Sequence, residues 1–245
     1  MSHADAMSRF GSDKPDLRFD NEIVDLTDLF SSSSEMPDFL RSMWRPGRSV
    51  VKAISFSPDD GKATPNEKQL KKIELVAKDA AKHRTSAGPV IVSAFFINAV
   101  QNVKSSLLKK CPPGLTQSVM QRLGSHRPGD FGLIVFACED LAAAELLGLV
   151  RSDFGGAAFD LSRKGFSFLW VEDFPLFCRD EDGDQDKLSS SHHPFTRPKD
   201  EDLGILDSDP LSVRGEHYDL VLNGQEVGGG SIRIHEAGLQ VMRHN

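Results

Sequence analysis

The sequence predicts an α+β protein: an antiparallel sheet interrupted by an inserted α/β block. Three observations carry this. Residues 217–235 read as a hairpin around Asn223-Gly224, the dipeptide that best tolerates the positive φ angles of a tight two-residue turn. Residues 36–163 alternate strand-like and helix-like patterns, each with its own apolar face, so this block can bury its own core. The flanks, 1–35 and 164–245, are charged and rich in turns, and read as two segments of one unit around the insertion.

The chain has 245 residues, room for two domains, with 39% hydrophobic and 27% charged residues. No apolar run reaches the length of a membrane span. Met1 to Met7 lacks a basic stretch followed by an apolar core, so no secretory signal is read there, and it is too short and acidic for a transit peptide. Cys111, Cys138 and Cys178 lack metal-type spacing and point to reduced thiols. The net charge of −7 argues against a whole-surface nucleic-acid binder.

In chain order, residues 8–19 are polar and turn-rich, Glu22 to Leu26 reads as a short strand and Thr27 to Phe30 as a helical turn. Ser31 to Ser34 form a break. Ser49 to Phe56 reads as a strand. Thr64-Pro65-Asn66-Glu67 reads as a capping box with Thr64 as N-cap. Leu70, Ile73, Val76, Ala77 and Ala80 then recur at helical spacing. Strands follow at Val90–Phe96 and Phe131–Cys138, and helices at Leu115–Leu123, closed by Gly124, and Asp140–Val150. The lysines at 68, 71 and 72 read as a solvated face. Beyond the block, Gly165–Val171 reads as a strand, Arg179–Lys187 and Asp200–Asp209 as acidic loops. The pair His192-His193 invites a zinc reading, but no third ligand lies at a helpful spacing.

The hairpin carries the chemistry. A two-residue turn sets 222 opposite 225, 221 opposite 226 and 219 opposite 228. Asp219, Val221 and Glu226 then share a face, with the two carboxylates roughly 7 Å apart. That suits a divalent cation on oxygen ligands. Arg233 stands an odd number of steps from Glu226, so an ideal strand turns it away. A bulge at Gly228, Gly229 and Gly230 resets the parity and brings its fork, suited to a carboxylate, to the acidic face. The competing reading is a surface hairpin with solvated charges, and spacing alone favours it.

Four stretches together, R-F-G-S-D-K-P-D-L-R-F (9–19), F-L-W-V-E-D-F-P-L-F (168–177), H-H-P-F-T-R-P (192–198) and Y-D-L-V-L-N-G-Q-E-V-G-G-G-S-I-R-I-H (218–235), resemble aspartyl-tRNA synthetase of the bacterial and organellar type, a class II synthetase. The insertion resembles the GAD domain of that type. The resemblance implies a partial class II antiparallel sheet, ATP and Mg2+ at the site, and L-aspartate and tRNA(Asp) as further partners. It implies that Glu226 binds ATP and the metal, that Asp219 assists the metal, and that Arg233 holds the aspartate side chain. His192 and His193 are implied to contact the amino acid. The implied reaction is attack of the aspartate α-carboxylate on the ATP α-phosphate, then transfer to tRNA. It needs no side-chain nucleophile.

No stretch resembles the family's OB-fold anticodon domain or its three signature motifs, two of which carry ATP-gripping arginines. The resemblance therefore implies a partial chain, expected to be inactive alone. A homodimer is implied for the intact enzyme. A mitochondrial matrix location is expected, with the bacterial cytoplasm as alternative. The competing function is a non-catalytic tRNA- or protein-interaction module built on the inserted block, and a third is a metal-binding sheet protein with no preference for aspartate.

Overall fold

Ser2 opens the first helix, α1 (His3–Phe10): its Oγ accepts from Asp5 N at 3.1 Å, and Gly11 ends the helix at φ 64°. The computed structural model describes residues 1–32, 36–59, 64–84, 88–161, 164–179 and 188–244. After α1 come β1 (Val24–Asp25), α2 (Thr27–Ser31), α3 (Asp38–Met43), β2 (Val50–Phe56), α4 (Glu67–Arg84), β3 (Ile91–Ile97) and β4 (Val103–Ser105). Then follow α5 (Pro113–Leu123), β5 (Phe131–Ala137) and α6 (Asp140–Ala158). The C-terminal part holds β6 (Phe168–Glu172), β7 (Phe177–Arg179), β8 (Leu188–Ser190), β9 (His217–Leu222), β10 (Gln225–Ser231) and α7 (Ala237–His244).

Every residue of β5 is buried. The reason is its place at the centre of a five-stranded sheet, β1-β2-β5-β3-β4, in which every pairing is antiparallel. Its odd residues, Phe131, Leu133 and Val135, pack with Leu70, Ile73 and Ala77 of α4 and with Leu146, Leu147 and Val150 of α6. Its even residues, Ile134 and Phe136, pack with Phe30, Leu40 and Val119 on the other face. A strand with helices on both faces reads as a continuous apolar run rather than an alternating one. β1 and α2, which precede residue 35, belong to this layered unit.

The second sheet, β10-β9-β6, is also antiparallel. Its small core of Val171, Phe174 and Val221 is covered by Ala6 of α1. β7 and β8 form a separate two-stranded ribbon. Within the Asp200–Asp209 stretch, a 3-10 helix over Asp200–Ile205 is gripped through Asp202, which accepts from Arg214 N and Nε at 2.9 and 2.8 Å.

Three local expectations need correction. The N-cap of α4 is Asn66, not Thr64: Asn66 and Gln69 exchange reciprocal bonds, Gln69 N to Asn66 Oδ1 at 3.0 Å and Asn66 N to Gln69 Oε1 at 2.9 Å. Val76 is exposed because the buried stripe of α4 runs through Leu70, Ile73, Ala77 and Ala81. The N-terminal helix α1 was not anticipated, although Ser2-x-x-Asp5 carries a capping signal. Of the expected break at 31–34, Ser31 instead ends α2 and 33–34 lie outside the described residues, as do 180–187 of the expected acidic loop, whose first residue, Arg179, ends β7.

Candidate functional site

The alternation of β9 turns His217, Asp219 and Val221 to one face. Val221 anchors that face in the core, and Asp219 is 4% exposed. On the opposing strand the turn holds the expected register for 222–225 and 221–226. The pairing then slips at Val227, so that Gly229 rather than Gly228 faces Asp219. The parity reset therefore exists, one residue before the glycines. It sends Arg233 to the same side as Glu226.

Beyond β10 the chain is laced to the loop after β8. Arg197 N donates to Ile232 O at 2.8 Å, Ile232 N to Glu216 O at 2.9 Å and Ile234 N to Phe195 O at 2.9 Å. Thr196 Oγ1 donates to Ser231 Oγ at 3.1 Å. These bonds set the His192-His193 loop beside Arg233. The result is a cleft of about 440 Å³ lined by Asp219, Glu226, Arg233, His192 and His193, all five residues singled out from sequence. Two further members, Lys14 and His217, were not singled out. The signal for His217 was available, since it is two residues from Asp219 and shares its face. Lys14 lies within the G-S-D-K-P-D stretch, but only the fold shows that it crosses to the hairpin.

Lys14 Nζ lies 3.4 Å from Glu226 Oε2 and 3.2 Å from Asp13 Oδ2. Burial works against this ammonium, yet Asp13 and Glu226 outweigh it and raise its pKa above the ordinary lysine value. Arg233 is exposed and forms no ion pair among the described residues, which leaves its fork available for an incoming anion. The two histidines have different surroundings. The His192 ring stacks on His217, with centroids 3.8 Å apart and planes 6° from parallel, and Phe174 meets both rings edge-on. His193 Nδ1 instead accepts from Phe195 N at 3.1 Å and closes the loop turn.

Burial lowers the His192 pKa, the neighbouring His217 lowers it further, and Asp219 opposes both. The native protein therefore binds fewer protons here than the unfolded chain below about pH 6.5. The unfolding free energy should thus hold above that pH and fall as the pH drops from about 6.5 through the folded-state value. A His192→Phe variant should show a shallower fall in urea titrations between about pH 7.5 and pH 5. Parallel curves for the two proteins would refute this.

Asp219 and Glu226 are the carboxylates on offer for a metal. Among the described residues no cluster of three or more His, Cys, Asp or Glu is arranged to hold an ion. Two carboxylates suit magnesium, which usually keeps waters and substrate phosphates as its other ligands. Asp219 is oriented for this: His217 Nε2 donates to its Oδ1 at 3.1 Å, and that oxygen occupies the space above Gly229 where a Cβ would stand. A larger cavity of about 990 Å³ beside α5 has no carboxylate among its lining residues. Its Cys111 thiol is pushed up to about 11 by burial, which makes it a poor nucleophile.

A family model for tRNA synthetases class II (D, K and N) matches residues 1–244. An aspartate–tRNA(Asp/Asn) ligase of Dictyoglomus turgidum is 36% identical over 242 residues, covering 98% of this chain and 37% of the relative. The mitochondrial aspartate–tRNA ligase of Rattus norvegicus is 38% identical over 250 residues, covering 98% of this chain and 35% of the relative. An aspartate–tRNA ligase of Bacteroides thetaiotaomicron is 36% identical over 243 residues, with 98% and 38% covered. The chain thus spans between 35% and 38% of the length of these relatives. No helix among the described residues is long and apolar enough to cross a membrane. With the family match running from the first residue to the last one described, the chain belongs to the class II tRNA synthetases (D, K and N).

Proposed function

We propose that this chain supplies the amino-acid pocket and part of the metal site of an aspartate–tRNA ligase, which activates L-aspartate with ATP and transfers it to tRNA(Asp). The observation that carries this reading is the convergence of Arg233 and Lys14 with Asp219 and Glu226 in one cleft. An anionic side chain is matched by the free arginine fork, and Lys14 adds a second positive charge beside it. Glu226 and Asp219 would hold magnesium with ATP, and the ion would supply charge neutralisation on phosphate oxygens. His192 would border the amino acid as a neutral ring, and His193 would hold the loop in place. The chain's contribution is positioning and charge complementarity.

The proposed division is an inserted GAD-like unit over 36–163 within a split unit of 1–35 and 164–245, with β1 and α2 lent to the inserted sheet. The proposed assembly is a homodimer. The proposed location is the mitochondrial matrix, which the mitochondrial relative supports, with the bacterial cytoplasm as the alternative that the bacterial relative favours. A non-catalytic interaction module is the second reading, supported by the two-sided core of the inserted unit.

Calorimetric titration of L-aspartate into the chain with magnesium present tests the leading reading. Arg233→Ala should weaken binding about tenfold to a hundredfold, the worth of a lost charged fork, and L-asparagine should bind no better than the variant. A folded chain that treats aspartate and asparagine alike would overturn it in favour of the module.

A further inference from the structure

Arg151 on α6 is 2% exposed and has no carboxylate within bonding distance among the described residues. Its guanidinium instead spans main-chain carbonyls: Nε donates to Asn21 O at 2.7 Å, and Nη2 to Phe19 O at 2.8 Å and Asp16 O at 2.9 Å. The rings of Phe19 and Phe10 cover it, at 4.2 and 4.6 Å from the guanidinium carbon. Burying this cation lowers its pKa to about 10, against the opposing pull of Asp16, Glu22 and Asp20. A buried arginine aimed at backbone is a costly arrangement, and a methionine would fill the same space more cheaply.

What Arg151 grips explains the arrangement. Segment 12–22 belongs to no helix or strand, so no ladder fixes its course. Around Lys14 its own bonds are local, such as Lys14 N to Ser12 Oγ and Arg18 N to Asp16 Oδ1, and its far end is tied elsewhere, by Asn21 Nδ2 to Ser55 O at 2.6 Å and by the pairing of Glu22 with Arg9 of α1. Asp16 lies against Gly224 at the turn of the cleft hairpin. Lys14, two residues earlier, reaches Glu226. The stretch from Asp16 to Phe19 is thus pinned by Arg151 of α6 on one side and by the cleft hairpin on the other, while Asn21 and Glu22 anchor the end of the segment to β2 and α1.

We propose that Arg151 is a positioning residue of the cleft: from the inserted unit it fixes segment 12–22 and so holds Lys14 against Glu226. The inserted unit is then a working part of the pocket wall. This deepens the aspartate-site reading and rests on it for ligand affinity, but the placement of Lys14 is measurable without any ligand.

The test uses the full chain as wild type, Arg151→Lys, Arg151→Met, and Val135→Ala as a core variant that loosens the buried sheet without touching segment 12–22. Lysine acylation followed by mass spectrometry reads Lys14, and calorimetry reads aspartate affinity. Loosening the segment should speed Lys14 acylation roughly tenfold in Arg151→Met and less in Arg151→Lys, with Val135→Ala unchanged. Aspartate affinity should fall roughly tenfold or more in Arg151→Met, as displacement of a binding group by about 1 Å does. Should Arg151→Met fail to fold, Arg151→Lys decides the matter, since it keeps the charge and loses the planar fork. Lys14 acylation that is unchanged in the folded Arg151 variants, or raised equally by Val135→Ala, overturns the proposal. Wild type that binds no aspartate while Lys14 still responds to Arg151 overturns the aspartate reading and leaves the positioning role standing.

Discussion

Gly148→Ala is expected to lower stability by about 3 kcal/mol, at the upper end of the overpacking range. Gly148 lies on α6 where that helix crosses Gly11, the C-cap of α1. A Cβ built on Gly148 would overlap the Gly11 carbonyl, and one built on Gly11 would overlap Ala144 O. The obstacles are backbone atoms, so no rotamer change relieves them. The two helices must separate, and α1 would leave the small core that Ala6 shares with Val171 and Val221. Gly114→Ala is the control: it lies in α5, and a Cβ there meets nothing within 4 Å. That substitution should be neutral or stabilising by about 0.5 to 1 kcal/mol. Urea unfolding of both variants decides the point. Equal midpoints would show that α1 and α6 part without cost.

This crossing also shows where legibility in the sequence ended. Elements with a local code were readable: the Asn223-Gly224 turn, the apolar run of β5, and Gly124 closing α5. Where two local codes overlapped, the wrong one was favoured. Thr64-Pro65 and Asn66-Gln69 both look like helix starts, and only the second makes the reciprocal bonds. The amphipathic stripe of α4 came out too wide because periodicity does not reveal how much of a helix its sheet covers. The five site residues read from the hairpin and histidine stretches do meet in one cleft. Their meeting depends on pairings between residues far apart in the chain, such as Arg197 with Ile232, which no periodicity encodes. Lys14 and Arg151 were missed for the same reason. Each acts on a segment distant in sequence, and Arg151 sits in a helix whose composition reads as ordinary amphipathic packing.

Gly229→Ala should remove magnesium–ATP binding while sparing the fold. Gly229 faces Asp219 across the ladder, and an added Cβ would overlap Asp219 Oδ1. The Asp219 side chain is enclosed and its Oδ1 is held by His217, so the carboxylate yields to the added Cβ by giving up that bond and its place in the cleft. It must shift by about 1 Å, enough to cost on the order of a hundredfold in a positioned interaction. β10 lies at the edge of its sheet and Gly229 is exposed, so the unfolding free energy should change by about 1 kcal/mol or less. Gly228→Ala provides the comparison, because a Cβ at Gly228 meets nothing within 4 Å and its neighbour across the ladder is Leu220. Titrating magnesium with ATP into both variants separates the cases. If Gly229→Ala binds as Gly228→Ala does, Asp219 is no metal ligand and Glu226 must work without it. If binding is lost only in Gly229→Ala, the glycine is there because the carboxylate needs the space above it. The slip at Val227 then acquires its purpose, since it sets a residue without a side chain opposite Asp219.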